Sequence, residues 1–132
     1  SGITNLYGAS IYYCHEKGTD QVNSSGTTAI AAFIRSGDFD IDDGELFMSM
    51  KRFMPDYKFL VGDSKVTLFI SDFPSDIQTG SPLGPFTITS TTDKVDTRAR
   101  GRLLSLKVEN DATGQTWRYG SFRMDAQPDG RR

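Results

Sequence analysis

The stretch DKVDTRARGRLLSLKVENDATGQTWRYGSFRMDAQPDGRR, residues 93–132, decides the predicted fold of this chain. Polar and apolar residues alternate over residues 94–109 and again over residues 115–125, and a cluster of turn-forming residues at 110–114 separates the two segments. Alternation with a period of two is typical of β-strands that bury one face. Asn, Asp and Gly together are typical of a tight turn. The stretch therefore predicts a long C-terminal β-hairpin.

The apolar residues of both predicted strands change parity part of the way along. The first strand has odd-numbered Val95, Ala99 and Leu103, followed by even-numbered Leu104, Leu106 and Val108. A period of two cannot place both sets on one face unless the strand gains a residue, so we expect a β-bulge near Gly101. The second strand changes from Trp117 and Tyr119 to Phe122 and Met124 across Gly120. We expect it to bend there, opposite the first bulge.

Further strand candidates precede this stretch, separated by Gly, Pro and Asp turns. They are residues 10–15, 28–35, 46–54, 57–61, 65–71 and 86–90. The alanines of 28–35 would also permit a short helix. Polar or Pro-rich segments at 16–27 and 72–85 predict loops, an acidic turn is predicted at 38–45, and Pro55 predicts an interruption. The pattern predicts an all-β fold, an antiparallel β-sandwich closed by the long C-terminal hairpin.

Length and composition restrict the class of protein. A chain of 132 residues predicts a single β domain over residues 1–132. It opens with Ser-Gly rather than Met, and we expect it to be the C-terminal part of a longer protein. Cys14 is the only cysteine, which excludes an internal disulfide. No apolar run approaches the roughly 20 residues that span a bilayer, so no membrane association is predicted.

Catalytic and metal-binding patterns are weak. His15 is the only histidine and lies next to Cys14, but neighbours in a strand point to opposite faces and cannot chelate one ion together. No serine stands in a nucleophile-elbow pattern, and a glycosidase-like carboxylate pair stays open among 17 acids. We predict no enzymatic activity and no cofactor.

An acidic cluster follows the strand candidate 28–35. It consists of Asp38, Asp40, Asp42 and Asp43. The D-x-D-x-D spacing is like the start of a calcium loop, but Asp43 stands where such a loop needs glycine and Ser49 where it needs the closing glutamate. A non-standard calcium site stays open. We prefer a solvated acidic turn with Phe39 and Ile41 packed inward.

Charge is divided unevenly along the chain. Residues 1–93 contain 6 Lys and Arg against 12 Asp and Glu, whereas residues 94–132 contain 9 against 5. Arg98, Arg100 and Arg102 alternate on one predicted strand and can grip a row of carboxylates or phosphates. We predict that they meet the acidic cluster, inside the fold or between neighbouring subunits, although separate solvation of the arginines is the alternative. Nucleic acid is the weaker partner because the whole chain is acidic.

Several of these motifs resemble a known class of proteins. The patterns are D-x-R-x-R-G-R at 96–102, W-R-x-G-x-x-R-x-D at 117–125 and P-D-G-R-R at 128–132, with S-G-D-F-D-I-D-D-G at 36–44 and R-F-M-P-D at 52–56 upstream. They resemble the C-terminal end of virion structural proteins of tailed bacteriophages. Over residues 30–132 the chain is similar to tail hub or nozzle components of short-tailed phages.

The resemblance implies a non-enzymatic function. Such proteins form homo-oligomeric rings and contact other virion proteins, so the chain is expected in the virion after synthesis in the bacterial cytoplasm. The alternative from another class is a phage-tail module that binds host-surface carbohydrate through exposed Tyr7, Tyr12, Tyr13 or Tyr57. A cell-wall hydrolase is a third hypothesis.

Overall fold

The strands account for most of the chain. The computed structural model describes residues 2–4, 11–13, 20–23, 26–40, 46–73 and 82–131, with side chains described for 26–40, 46–73 and 82–130. These ranges contain no helix. Their strands are β1 (Gly2–Thr4), β2 (Ile11–Tyr13), β3 (Asp20–Asn23), β4 (Gly26–Ala29), β5 (Ala32–Arg35), β6 (Leu46–Val61), β7 (Ser64–Ser71), β8 (Leu83–Ile88), β9 (Val95–Gly101), β10 (Leu103–Asn110) and β11 (Thr116–Arg131).

Two antiparallel sheets form the body of the fold. One has the strand order β5-β10-β7-β8 and the other has the order β11-β6-β9. The described residues also contain two small ribbons, β1-β2 and β3-β4. The predicted all-β class and the antiparallel pairing are confirmed, and the two sheets are consistent with a β-sandwich.

The core lies between the inner faces of the two sheets. Its buried members are Met48, Met50, Phe53, Val66, Leu68, Ile88, Ala99, Leu104, Leu106 and Val108. Phe53 is fully buried and lies with its ring centroid 5.5 Å from that of Phe86 and 5.5 Å from that of Phe122. Burial of such large side chains is the main stabilising contribution in a domain without disulfides.

The predicted C-terminal hairpin is wrong. β9 pairs with β6, β10 pairs with β7 and β5, and β11 pairs with β6, so β10 and β11 lie in different sheets. The chain passes from one sheet to the other after Gly101 and again over residues 111–115. Val95 and Ala99 therefore face the core from one side, whereas Leu104, Leu106 and Val108 face it from the other. The change of parity comes from this crossing, because each sheet presents its own inner face to the shared core.

Gly101 has a different role from the predicted one. The irregularity between β9 and β6 falls between Met50 and Arg52, opposite Thr97 and Arg98, so the predicted bulge at Gly101 is wrong. A Cβ atom at Gly101 would lie 2.2 Å from Cγ2 of Ile70, which is far inside van der Waals contact. Gly101 is therefore required for close packing where the chain changes sheets.

The expected irregularity at Gly120 is confirmed, although its partner is not Gly101. The register of β11 against β6 shifts between Tyr119 and Phe122, opposite residues 55–57. A Cβ atom at Gly120 would lie 2.7 Å from the carbonyl oxygen of Asp56. This bulge lets Tyr119 and Phe122, which differ in parity, both pack against the core.

The interruption predicted at Pro55 is also wrong, because β6 continues through it to Val61. Pro55 pairs with Phe122 of β11, but pairing with β9 ends at Phe53. Among the described strands, one side of β6 thus has no partner at Pro55, and a residue without an N–H is tolerated at such an edge.

Several strand boundaries differ from the predicted ones. The segment 28–35 divides into β4 and β5, which pair with different strands, and the predicted loop 16–27 contains β3 and the start of β4. β8 begins at Leu83 and includes Pro85, so the end of the predicted loop 72–85 is a strand, whereas 74–81 lie outside the described residues. Strand β7 is confirmed, with Val66 and Leu68 fully buried.

Candidate functional site

The arginine row lies at an edge of the three-stranded sheet. β9 is the last strand in the order β11-β6-β9 and carries Arg98 and Arg100, and Arg102 follows at the crossing to β10. Ala99 and Gly101 are buried, whereas Arg98 and Arg100 are exposed and Arg102 is half-buried. Alternation along β9 therefore directs the arginines to the outer face of the sheet.

Phe47 supports two of these arginines. The guanidinium carbon of Arg100 lies 4.4 Å from the centroid of the Phe47 ring, and that of Arg102 lies 5.0 Å from the same centroid. Phe47 alternates with the inward-facing Met48 and so belongs to the outer face, yet only 8% of it is exposed. Cation–π contact and burial of the ring hold both guanidinium groups close to the sheet.

Asp129 fixes the orientation of Arg100. Nε of Arg100 donates a hydrogen bond of 2.6 Å to Oδ2 of Asp129, and Nη2 donates one of 3.3 Å to the Asp129 carbonyl oxygen. Asp129 belongs to β11, on the far side of β6, where a register shift between Pro128 and Arg131 interrupts the ladder. The pair is exposed and contributes about 0–1 kcal/mol to stability, so its main effect is on side-chain geometry.

The pairing of the three-stranded sheet is irregular next to the row. One level of inward residues joins Met124, Phe53 and Val95, and the next joins Ala126, Met50 and Ala99. From the first level to the second, β11 advances two residues, β6 three and β9 four. Over this interval β6 therefore has one residue more than β11, and β9 has one more than β6. The extra residues bend the sheet and leave Lys51, Thr97 and Arg98 outside regular pairing.

A groove of about 720 Å³ lies at this irregularity. We call it the β9 groove; its lining residues are Ser49, Met50, Lys51, Asp96, Thr97, Arg98, Ala99 and Arg100. Lys51 and Arg98 are both exposed, and neither forms an ion pair with any residue that the structure describes. Among the residues that the structure describes, the positive charges of Lys51 and Arg98 in the groove therefore have no counter-ion.

The acid of the groove is already matched by a cation. Nε of Arg52 lies 3.9 Å from Oδ1 of Asp96 on β9 and 3.6 Å from Oδ2 of Asp125 on β11. Arg52 pairs across the sheet with each of these residues, so the three charges form a row perpendicular to the strands. Asp96 contacts Arg52 and makes no ion pair with Lys51 or Arg98.

The described part of the acidic cluster, Asp38 and Asp40, lies beside the other sheet. Phe39 forms an isolated bridge with Leu104 through two hydrogen bonds of 2.9 Å, and its ring packs against the core as predicted. Asp38 and Asp40, on either side of it, are exposed and make no ion pair with another described residue. The described partner of Arg100 is Asp129. Ile41, Asp42 and Asp43 lie outside the described residues, so pairing of the whole cluster with the row stays a prediction.

Tyr57 is not the exposed tyrosine that was expected. It packs against the core with its ring centroid 5.1 Å from that of Tyr119, and its hydroxyl shares a hydrogen bond with that of Ser64. Burial raises the pKa of Tyr57, which the bond to Ser64 partly offsets. Burial, followed by the neighbouring Tyr57 and Asp56, raises the pKa of Tyr119 well above its usual range. The side chains of Tyr7, Tyr12 and Tyr13 lie outside the described residues.

The described part of the chain shows neither a metal-ligand cluster nor a membrane-spanning helix. In the described ranges, no three or more His, Cys, Asp and Glu side chains cluster as metal ligands would, and Cys14 and His15 lie outside these ranges. The same ranges contain no helix that is long and apolar enough to cross a membrane.

The sequence did not reveal three residues that shape this site. Phe47, Lys51 and Asp129 are separated from the arginine row by between about 30 and 50 positions, and they meet it only because β6 lies between β9 and β11. Met50 and Phe53 both face inward although two residues, Lys51 and Arg52, lie between them. This break in the period of two was the sequence signal of the irregular pairing.

Comparison with known proteins adds no assignment. No family model matches the chain, and the search of curated proteins finds no match to it.

Proposed function

We propose that this chain is a non-enzymatic structural subunit of a bacteriophage particle, in the tail hub or nozzle region. In this role its copies assemble into a ring with one another and contact other virion proteins. The observation that carries the proposal is the arginine row at the edge strand β9, where Phe47 and Asp129 hold Arg100 in a fixed orientation. The motifs at 96–102 and 117–125, which resemble those of phage virion proteins, supply the row and the strand next to β6.

Preorganised cations suit an assembly contact. A guanidinium group that is already oriented loses less side-chain entropy when it binds a carboxylate, and an arginine can bind it through two parallel hydrogen bonds. Repeated contacts between identical subunits also need a fixed register. An edge strand with charges two residues apart supplies such a register through its spacing.

The other sheet offers a second contact surface at its edge strand β5. All four residues of β5 are exposed, and 68% of Phe33 and 53% of Ile34 are accessible. Edge strands with exposed apolar side chains pair readily with other chains unless they are covered. Subunit contacts in a ring would cover these side chains.

Mass spectrometry of purified particles of a phage that encodes this chain tests the proposal. We expect peptides of the chain in intact particles, in a constant ratio to the other structural proteins after repeated density-gradient purification. Presence in infected cells but absence from purified particles would refute a structural role. Binding to a glycan array that is lost in Tyr12→Ala and Tyr13→Ala variants would instead favour carbohydrate recognition.

A further inference from the structure

We infer that the β9 groove is a docking site for the acidic segment around Asp38 and Asp40 of a second copy of this chain. The inference rests on the proposed assembly role and assigns the contact to particular residues. It adds Lys51 to the arginine row: Lys51 and Arg98 gain new partners in the contact, whereas Arg100, which stays paired with Asp129, helps to fix the register.

Charge is the first reason for this choice of partner. Lys51 and Arg98 line the groove without a counter-ion among the described residues, whereas Arg52 already matches Asp96 and Asp129 matches Arg100. An anionic group entering the groove would therefore gain two new pairs without breaking an existing one. Exposed pairs of this kind govern orientation and partner choice more than folding stability.

Geometry is the second reason. Asp38 and Asp40 are exposed on either side of Phe39, which is anchored to Leu104 by two backbone hydrogen bonds. Carboxylates two residues apart in an extended segment stand about 6.6–7 Å apart. The anchored segment thus presents two carboxylates at a fixed interval, one for Lys51 and one for Arg98.

The placement of the two surfaces indicates how copies would join. The acidic segment is bonded to β10 of the four-stranded sheet, whereas the groove belongs to β9 and β6 of the three-stranded sheet. A contact between two different surfaces is heterologous, and repetition of a heterologous contact produces a closed ring or a filament. The same contact therefore suits the ring assembly proposed above.

Self-association of the complete chain, measured by sedimentation equilibrium at low salt, tests the docking site. The Lys51→Glu/Arg98→Glu variant should weaken association by about ten-fold or more, because each exposed pair changes a binding constant by up to about five-fold and the new acids repel the segment. Lys58→Glu is the matched control: Lys58 is an exposed lysine of the same strand β6, outside the groove, and its replacement should have little effect.

A charge swap gives the decisive comparison. Asp38→Lys/Asp40→Lys alone should weaken association to a similar degree, and combining all four substitutions should restore a large part of it. Circular dichroism should show the same strand content in every variant, since all four positions are exposed. Raising the salt concentration should weaken association of the wild type, because exposed pairs are screened.

Four outcomes would overturn the inference. They are a wild-type chain that stays monomeric, equal weakening by Lys58→Glu, a swap that restores nothing, and loss of binding to a single-stranded DNA 20-mer in the groove variant with unchanged self-association. If the chain is present in phage particles and the swap fails, the groove assignment falls but the proposed function stands. If the swap succeeds and particles lack the chain, the phage assignment falls.

Discussion

Replacing Gly101 by alanine is expected to lower the free energy of unfolding by about 1–3 kcal/mol, the usual cost of forcing an extra carbon into a packed site. The added Cβ would lie 2.2 Å from Cγ2 of Ile70, and carbon atoms in contact stand about 3.5–4.0 Å apart. Ile70 would have to move by roughly 1.5 Å. The carbonyl oxygen of Ser71, 3.3 Å from the same point, restricts movement of the backbone.

Urea unfolding of paired variants measures this cost. In thermal unfolding, a loss of 1 kcal/mol in the free energy of unfolding corresponds to a fall of roughly 3–5 °C in Tm for a domain of this size. Gly37→Ala is the matched control because a Cβ at Gly37 meets no atom within 4 Å, and it should be neutral or slightly stabilising. Ile70→Ala removes the clashing methyl group, so adding it to Gly101→Ala should cost less than the sum of the single changes. Additivity of the two within about 0.5 kcal/mol would refute the close-approach argument.

Three further predictions follow from buried groups. Gly120→Ala should destabilise the fold by about 1–3 kcal/mol in the same assay, because its Cβ would meet the backbone oxygen of Asp56 at 2.7 Å and cannot rotate away; a change no larger than that of Gly37→Ala would contradict this. Asn110→Ala should lower the free energy of unfolding by about 2–4 kcal/mol, because Asn110 accepts a 3.0 Å hydrogen bond from the indole N–H of Trp117 and donates another to a backbone carbonyl. Trp117 is the only tryptophan, so its fluorescence emission should shift as well, and unchanged emission would show that the bond is not formed. Burial raises the pKa of Tyr119, so above about pH 10 the unfolded chain loses a phenolic proton that the folded chain keeps, and the free energy of unfolding should fall as pH rises. The fall should be less steep in Tyr119→Phe, and identical pH profiles of the two proteins would rule out a buried neutral phenol.

The sequence predicted the faces of the strands better than their partners. Alternation puts Val66 and Leu68 on one face of the strand predicted at 65–71, and both are fully buried. Alternation is a local property, since successive side chains of any strand point to opposite faces. Which strand lies alongside is decided by contacts between residues far apart in the chain. The turn residues at 110–114 were compatible with a hairpin and equally with a passage to the other sheet, where β11 finds β6 as its partner.

The candidate site likewise combines features that the local sequence predicts with contacts that only the fold creates. The sequence determined that Arg98, Arg100 and Arg102 alternate and that apolar residues change parity at Gly101 and Gly120, because both facts are written in local order. Only the tertiary structure decided that Phe47 and Asp129 hold Arg100, that Lys51 joins Arg98 in a groove, and that Gly101 faces Ile70. These contacts require that β6 lies between β9 and β11, and that β6 and β9 each carry one residue more than the preceding strand in the order β11-β6-β9. That arrangement is selected by burial of a common core, to which distant segments contribute together.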